Sequence, residues 1–151
     1  MKECAYPEGL DCVWLASDRD GRVGAFTTAG EGPIPALALL PQRPPIEEIE
    51  SLLYELPAIT SAKLLVSLPR PDDFLNFAAR GLFAYDWTDV HRVAAAELNS
   101  YEQLAVPDAP ITAGQLPKDI APLVEGIILN VSFAHERFID VTKYLECRRA
   151  P

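Results

Sequence analysis

Fourteen prolines are spread along the 151 residues, and they limit how long any helix or strand can be. Proline lacks the backbone N–H that helices and sheets use, so it is found at the ends of these elements rather than inside them. Proline clusters between 41 and 45 and between 69 and 71, together with Pro57, divide the first half of the chain. We therefore expect short strands and short helices.

The clearest of these segments is a β-hairpin near the N-terminus. Residues 12–17 are rich in types that suit a pleated surface, and residues 22–28 alternate in the same way. Residues 18–21 have the composition of a turn, because aspartate can bond its own backbone and glycine accepts a positive φ. The hairpin would place Trp14 near Phe26 for cross-strand aromatic packing.

Three further segments are expected to be helical. Apolar residues recur at helical spacing from Ile46 to Leu56, with glutamates mostly on the opposite side. Asp72 and Asp73 open a second helix, which Gly81 would close in the position that glycine prefers after a helix. A third helix is expected from Leu116 to about Glu125.

The remaining strands are expected to be short. The segment 63–68 is apolar and is interpreted as an interior strand. In the segment 82–88, three aromatic residues fall on one face, which belongs either to the core or to an interface. Further strands are expected at 93–97, 101–106 and 127–134, and residues 144–149 are expected to form a frayed helical or irregular tail.

Strands and helices are intermixed without a regular βαβ repeat, which favours an α+β fold with a mostly antiparallel sheet. We expect this sheet to start with the N-terminal hairpin and to be accompanied by three short helices. The length is close to that of one domain, and no linker or internal repeat divides the chain. Residues 1–151 are therefore predicted to form a single domain.

The charge of the chain is strongly acidic, with a formal net charge of −9. The first 60 residues hold ten acids and only four bases. A surface of this sign repels phosphate backbones, so nucleic acid is not an expected partner. It would attract a basic protein and speed the encounter with it, although many acidic proteins use their charge only for solubility.

The lack of a recognisable targeting signal and of a metal-binding cysteine pattern predicts a cytoplasmic protein without a cofactor. No segment approaches the ~20 apolar residues of a membrane-spanning helix, and the N-terminus lacks a secretory pattern, so no membrane partner is expected. The sequence has three cysteines, Cys4, Cys12 and Cys147, and an odd number argues against a full set of disulfides. They also lack the close spacing of metal ligands, so reduced cysteines are expected. His91 and His135 with scattered acids form no recognisable metal-binding pattern, so neither metal nor cofactor is predicted.

One candidate binding surface is the acidic side of the first helix. A basic partner could contact its four carboxylates, whereas the alternative is an ordinary solvated helix face. If this surface binds the partner, joint neutralisation of all four glutamates should abolish binding. The residues are Glu47, Glu48, Glu50 and Glu55.

A second candidate site lies at the end of the aromatic strand. Asp89 and His91 would share one face with Tyr85 and Trp87, while Asp86 would point to the other face. An aspartate beside a histidine can act as an acid–base pair or as two metal ligands, whereas the alternative is a strand end with solvated polar residues. No nucleophile pattern accompanies them, so no catalytic residue is assigned.

The glycine-rich segment 27–33 is the one place where the sequence suggests close approach of the backbone to a ligand. It lacks the phosphate-binding patterns of glycine-rich loops and carries Glu31 in its middle. A bulge or turn beside the sheet is the preferred interpretation.

The residues from Trp14 to Asp18 and from Gly21 to Pro35 carry a resemblance to known sequences. They resemble the start of a group of small, uncharacterised bacterial α+β proteins, some of which look like immunity or accessory proteins of toxin systems. The resemblance covers roughly the first quarter of the chain. It implies no established activity, and no functional residue is carried over from it.

Three functions follow as hypotheses. The first is a non-enzymatic protein-binding or immunity-type protein of a bacterial cytosol that holds a basic partner. The second is a structural or regulatory homodimer that uses an exposed apolar face of the sheet. The third is a small-molecule binder or enzyme with its site near Asp86, Asp89 and His91.

Overall fold

A computed structural model of the protein describes five stretches of the chain, residues 11–30, 32–39, 45–66, 71–87 and 100–144. The predicted hairpin is confirmed: strand β1 (Val13–Ser17) pairs antiparallel with strand β2 (Val23–Thr27). Gly21 adopts a φ of 83° in the turn between them. The rings of Trp14 and Phe26 stack with their centroids 4.4 Å apart, as the sequence predicted.

The described residues form one six-stranded sheet, which contains strands β3 (Ala62–Leu64), β4 (Phe83–Asp86), β5 (Tyr101–Pro107) and β6 (Phe138–Ile139) besides the hairpin. The strand order is β1-β2-β4-β5-β3, and β6 pairs with β5. Strands β2 and β4 are parallel, whereas the other pairs are antiparallel. The predicted α+β fold with a mostly antiparallel sheet is therefore confirmed.

Strand β3 differs from the expectation of an interior strand at 63–68. It lies at the end of the strand order, with Lys63 exposed and both Ala62 and Leu64 half-buried. Strand β5 holds the interior position instead and pairs with β3, β4 and β6. A short apolar run indicates that a segment is at least partly buried, but it does not indicate how many strands pair with it.

In the stretches that the structure describes, three short α-helices accompany the sheet: α1 (Ile49–Leu53), α2 (Asp72–Ala79) and α3 (Val141–Tyr144). A 3₁₀ turn, Ile46–Glu48, leads into α1. Gly81 follows α2 with a φ of 95°, as predicted for its end. The first two helices lie in the segments where the sequence predicted them.

The third predicted helix is wrong in position. Within 116–125 the chain forms turns and one short 3₁₀ helix, Ala121–Leu123. Pro122 lies in the middle of that segment and cannot donate the backbone hydrogen bond that a longer α-helix would need. The third α-helix among the described residues is α3, which ends at Tyr144, where the expected tail begins.

The predicted strand at 127–134 is also wrong. Ser17 forms an isolated parallel bridge with Ile128 through backbone hydrogen bonds to Ile127 and Leu129, and the chain then turns. Leu129 and Phe133 are fully buried. The apolar pattern of this segment therefore reflects burial in the core rather than membership of the sheet. The strand predicted at 93–97 lies outside the described residues.

An aromatic layer forms much of the core on one face of the sheet. Phe26 stacks on Tyr85 at 4.8 Å between centroids, and Phe133 packs against Tyr85 at 5.6 Å. Burial raises the pKa of Tyr85 well above its ordinary value, which the hydrogen bond from the Gln103 side chain opposes. Phe83, Tyr85 and Trp87 are all buried. The aromatic strand therefore belongs to the core of one chain.

Among the described residues, no helix has both the length and the apolar character needed to cross a membrane.

Candidate functional site

A cavity of about 250 Å³ lies between the sheet and helices α1 and α2. Its sheet side includes Val13, Thr27 and Asp86, which lie next to each other in register on strands β1, β2 and β4. Residues paired in this way project to the same face of a sheet. Phe74 and Phe77 of α2 add apolar walls. The cavity is therefore built by residues that are distant in sequence.

Four carboxylates line this cavity, and each comes from a different part of the fold. Asp11 precedes β1, Glu50 lies in α1, Asp73 lies in the first turn of α2, and Asp86 ends β4. The described residues that line the cavity include no lysine, arginine or histidine. We call Asp11, Glu50, Asp73 and Asp86 the acidic cavity.

The turn after β2 holds Asp11 in place. The Asp11 carboxylate accepts a hydrogen bond of 2.9 Å from the Ala29 backbone N–H. Thr28 supports the same turn, because its hydroxyl oxygen accepts the N–H groups of Cys12 at 3.0 Å and of Gly30 at 3.2 Å. Ala29 and Gly30 both adopt positive φ values, 52° and 82°. The chain therefore reverses sharply here, and Ala29 itself lines the cavity.

The glycine-rich segment is thus a turn, as its preferred interpretation predicted. Its N–H groups at Ala29 and Gly30 already donate to Asp11 and Thr28, so these two donors are not available to cradle a phosphate. Gly32 donates its N–H to the Thr28 carbonyl oxygen at 2.8 Å. Glu31 lies outside the described residues.

Helices α1 and α2 are joined at the cavity by Tyr54, Asp73 and Arg80. The Tyr54 hydroxyl donates a 3.0 Å hydrogen bond to the Asp73 carboxylate, and the Arg80 guanidinium lies 5.0 Å from the centroid of the Tyr54 ring. Arg80 also donates from Nε to the Leu56 carbonyl oxygen at 2.9 Å. Burial and the bond to Asp73 raise the pKa of Tyr54 to about 12. Tyr54 therefore keeps its proton and remains a hydrogen-bond donor to Asp73.

The acidic cavity penalises negative charge. Burial raises the pKa of Glu50, and the nearby charges of Asp73 and Asp11 raise it further. Asp11 is exposed as a whole residue, but partial burial of its carboxyl group raises its pKa, which the Ala29 hydrogen bond opposes and the charge of Asp73 reinforces. Like charges that share a partly buried site repel one another, and an added cation would relieve that repulsion.

The half-buried charge of Glu50 gives a pH-dependent prediction for Glu50→Gln. The unfolded chain loses the Glu50 proton near the ordinary pKa of 4.5, whereas the folded protein keeps it to higher pH. The stability of the wild-type protein therefore falls as pH rises through this window. We expect Glu50→Gln to be more stable than the wild type at about pH 7, and the difference to vanish near about pH 4. Urea unfolding across this pH range measures it.

The matched control for this prediction is Glu55→Gln, which removes the same charge from an exposed position just after α1. Its stability difference from the wild type should change much less with pH, because water screens an exposed charge. A Glu50→Gln curve parallel to that of Glu55→Gln would show that burial of Glu50 has no effect on stability.

The four glutamates predicted as one surface are separated in the structure. Glu47, Glu48 and Glu55 are exposed, whereas Glu50 is half-buried and lines the cavity. We call Glu47, Glu48 and Glu55 the exposed glutamates. The sequence placed all four glutamates on one side of a helix, but the 3₁₀ turn before α1 alters the angle between successive side chains.

The second predicted site is described only in part. Asp86 lines the acidic cavity, while Asp89 and His91 lie outside the described residues. The structure therefore brings together Glu50 and Asp86, which the sequence assigned to two different sites. Sequence reasoning missed Asp11 and Asp73 as site residues, although Asp73 was identified as opening α2. Only the packing of α1 and α2 on the sheet could reveal that all four meet.

Cys12 and His135 are the cysteine and the histidine among the described residues. Cys12 is buried, and burial together with the charges of Glu47 and Asp11 raises the pKa of its thiol, so the unreactive protonated form is favoured. His135 is exposed in the turn after Phe133. Within the described part of the chain, no group of three or more His, Cys, Asp or Glu residues is arranged to hold a metal ion.

Comparison of the chain with models of protein families, with curated proteins and with solved structures finds no match.

Proposed function

We propose that the protein is a non-enzymatic binding protein that holds a basic protein partner, with a lysine or arginine side chain of the partner inserted into the acidic cavity. One observation carries this proposal: carboxylates from four separate parts of the fold line a single cavity. The site offers negative charge and apolar walls, which suit recognition of a cation better than covalent chemistry.

The physical gain on binding comes from relief of repulsion. In the free protein, burial and mutual repulsion disfavour the charged forms of Asp11 and Glu50. A partner's ammonium or guanidinium group would favour those charged forms. The apolar walls at Val13, Phe74 and Phe77 would contact the aliphatic stem of the same side chain. Binding therefore uses both the charge and the shape of the cavity.

The size of the cavity favours a single side chain over a drug-sized ligand. Its volume is about 250 Å³. Sites for drug-sized molecules are usually about 300–1,000 Å³. This comparison favours a single inserted side chain over a drug-sized molecule as the occupant of the cavity.

The exposed glutamates would act in a different way. Charges at the rim of an interface mainly raise the association rate, whereas a charge buried against its partner mainly slows dissociation. We therefore propose that Glu47, Glu48 and Glu55 steer a basic partner towards the protein, and that the acidic cavity holds it. Neutralising Glu50 alone should then weaken binding more than neutralising all three exposed glutamates.

The biological setting of this proposal rests on the resemblance of residues 14–35. Some proteins of the bacterial group that this stretch resembles look like immunity or accessory proteins of toxin systems. In that setting the partner would be a basic toxin of the same cytosol, and the net charge of −9 would speed the encounter with it.

Two triple variants with the same change in net charge test the proposal. The first replaces Asp11 and Asp73 by Asn and Glu50 by Gln in the acidic cavity. The second replaces the exposed glutamates Glu47, Glu48 and Glu55 by Gln. Titration calorimetry with a hexalysine peptide at low salt measures the affinity of each, and a hexaglutamate peptide serves as a negative control.

We expect the cavity variant to lose at least about tenfold in affinity, which corresponds to ~1.4 kcal/mol, and the exposed variant to lose clearly less. Equal losses would mean that the peptide responds to net charge alone, and the cavity would then have no special role. Circular dichroism of both variants checks that each remains folded.

The homodimer hypothesis is less well supported. The sequence left open whether the aromatic strand belongs to the core or to an interface. This strand is buried within one chain. In the part of the chain that the structure describes, the exposed large apolar side chains are Ile59 at 55% and Phe138 at 43%. Sedimentation velocity of the wild type and of a Phe138→Ser variant would test a dimer that uses β6.

A further inference from the structure

We draw no further inference here: the strongest candidate, the acidic cavity between the sheet and helices α1 and α2, belongs to the site already described.

Discussion

Asp18→Ala is expected to lower the free energy of unfolding by roughly 3–5 kcal/mol. Asp18 is only 2% exposed, and its carboxylate accepts three backbone hydrogen bonds. One oxygen accepts the N–H groups of Asp20 and Arg22, each at 2.9 Å, and the other accepts the N–H of Phe133 at 2.8 Å. Alanine would leave all three donors without this acceptor, and the Phe133 donor is buried.

Asp18→Asn separates the two parts of this effect. The amide oxygen can still accept from the turn, but the amide nitrogen would then face the Phe133 N–H, and two donors would oppose each other. We expect the free energy of unfolding of Asp18→Asn to lie between that of Asp18→Ala and that of the wild type. Asp20→Asn is the control, because Asp20 is exposed and lies 3.8 Å from Arg22 in a surface ion pair.

Urea unfolding of these three variants gives the test. The control should stay within about 0.5 kcal/mol of the wild type, as surface substitutions usually do. If Asp18→Asn were as stable as the wild type, the bond to Phe133 would contribute nothing, and Asp18 would serve only its own turn.

Gly32→Ala is expected to destabilise the protein by about 3 kcal/mol, at the upper end of the usual cost of overpacking. A Cβ at Gly32 would overlap the Tyr101 hydroxyl oxygen and would lie 2.9 Å from the Cβ of Trp87. The Tyr101 hydroxyl has little freedom to move, because it accepts from Trp14 Nε1 at 3.1 Å and donates to the Pro33 carbonyl oxygen at 3.0 Å. The added methyl group must therefore displace buried aromatic residues.

Gly114→Ala is the matched control for the same substitution. Its new Cβ would meet its nearest neighbour, the Thr112 hydroxyl oxygen, at 3.9 Å, which is ordinary contact. Alanine there should be neutral or stabilise the protein by up to about 1 kcal/mol, because it restricts the unfolded chain. Thermal unfolding of both variants measures the contrast, and a Gly32→Ala protein as stable as Gly114→Ala would contradict the close packing at Tyr101.

Asp18 and Gly32 support the fold and not the acidic cavity, so their variants are controls for the binding test. Asp18 and Gly32 are absent from the cavity lining. Their variants should lose stability and yet bind the hexalysine peptide normally under conditions where they are folded. The cavity variant should show the opposite pattern. Its affinity for the peptide should fall, and removal of the Glu50 charge should not lower its stability at neutral pH.

Part of the candidate site could be predicted from the sequence. Glu50 and Asp86 were singled out, the first as part of an acidic helix and the second as part of a strand end. Their meeting could not be predicted, because it depends on how α1 packs against the row of Val13, Thr27 and Asp86 across the sheet. The same packing separates Glu50 from the exposed glutamates, which the helical spacing had grouped with it.

The sequence by itself determined the features that depend on near neighbours along the chain. Turn chemistry at 18–21 and alternation on both sides specified the hairpin, and Asp72 with Gly81 marked the limits of α2. Prolines limited the length of the elements, and the excess of acids set the sign of the surface charge. These features rest on local backbone preferences and on composition, which each segment carries with it.

Only the tertiary structure decided the strand order, the placement of 127–134 outside the sheet, and the acidic cavity. Asp18 shows the division within one side chain: one carboxylate oxygen bonds its own turn, as predicted, while the other bonds Phe133, 115 residues away. Local patterns report that a residue is buried or charged, but not which distant segment it meets. That choice depends on the free energy of packing the whole chain.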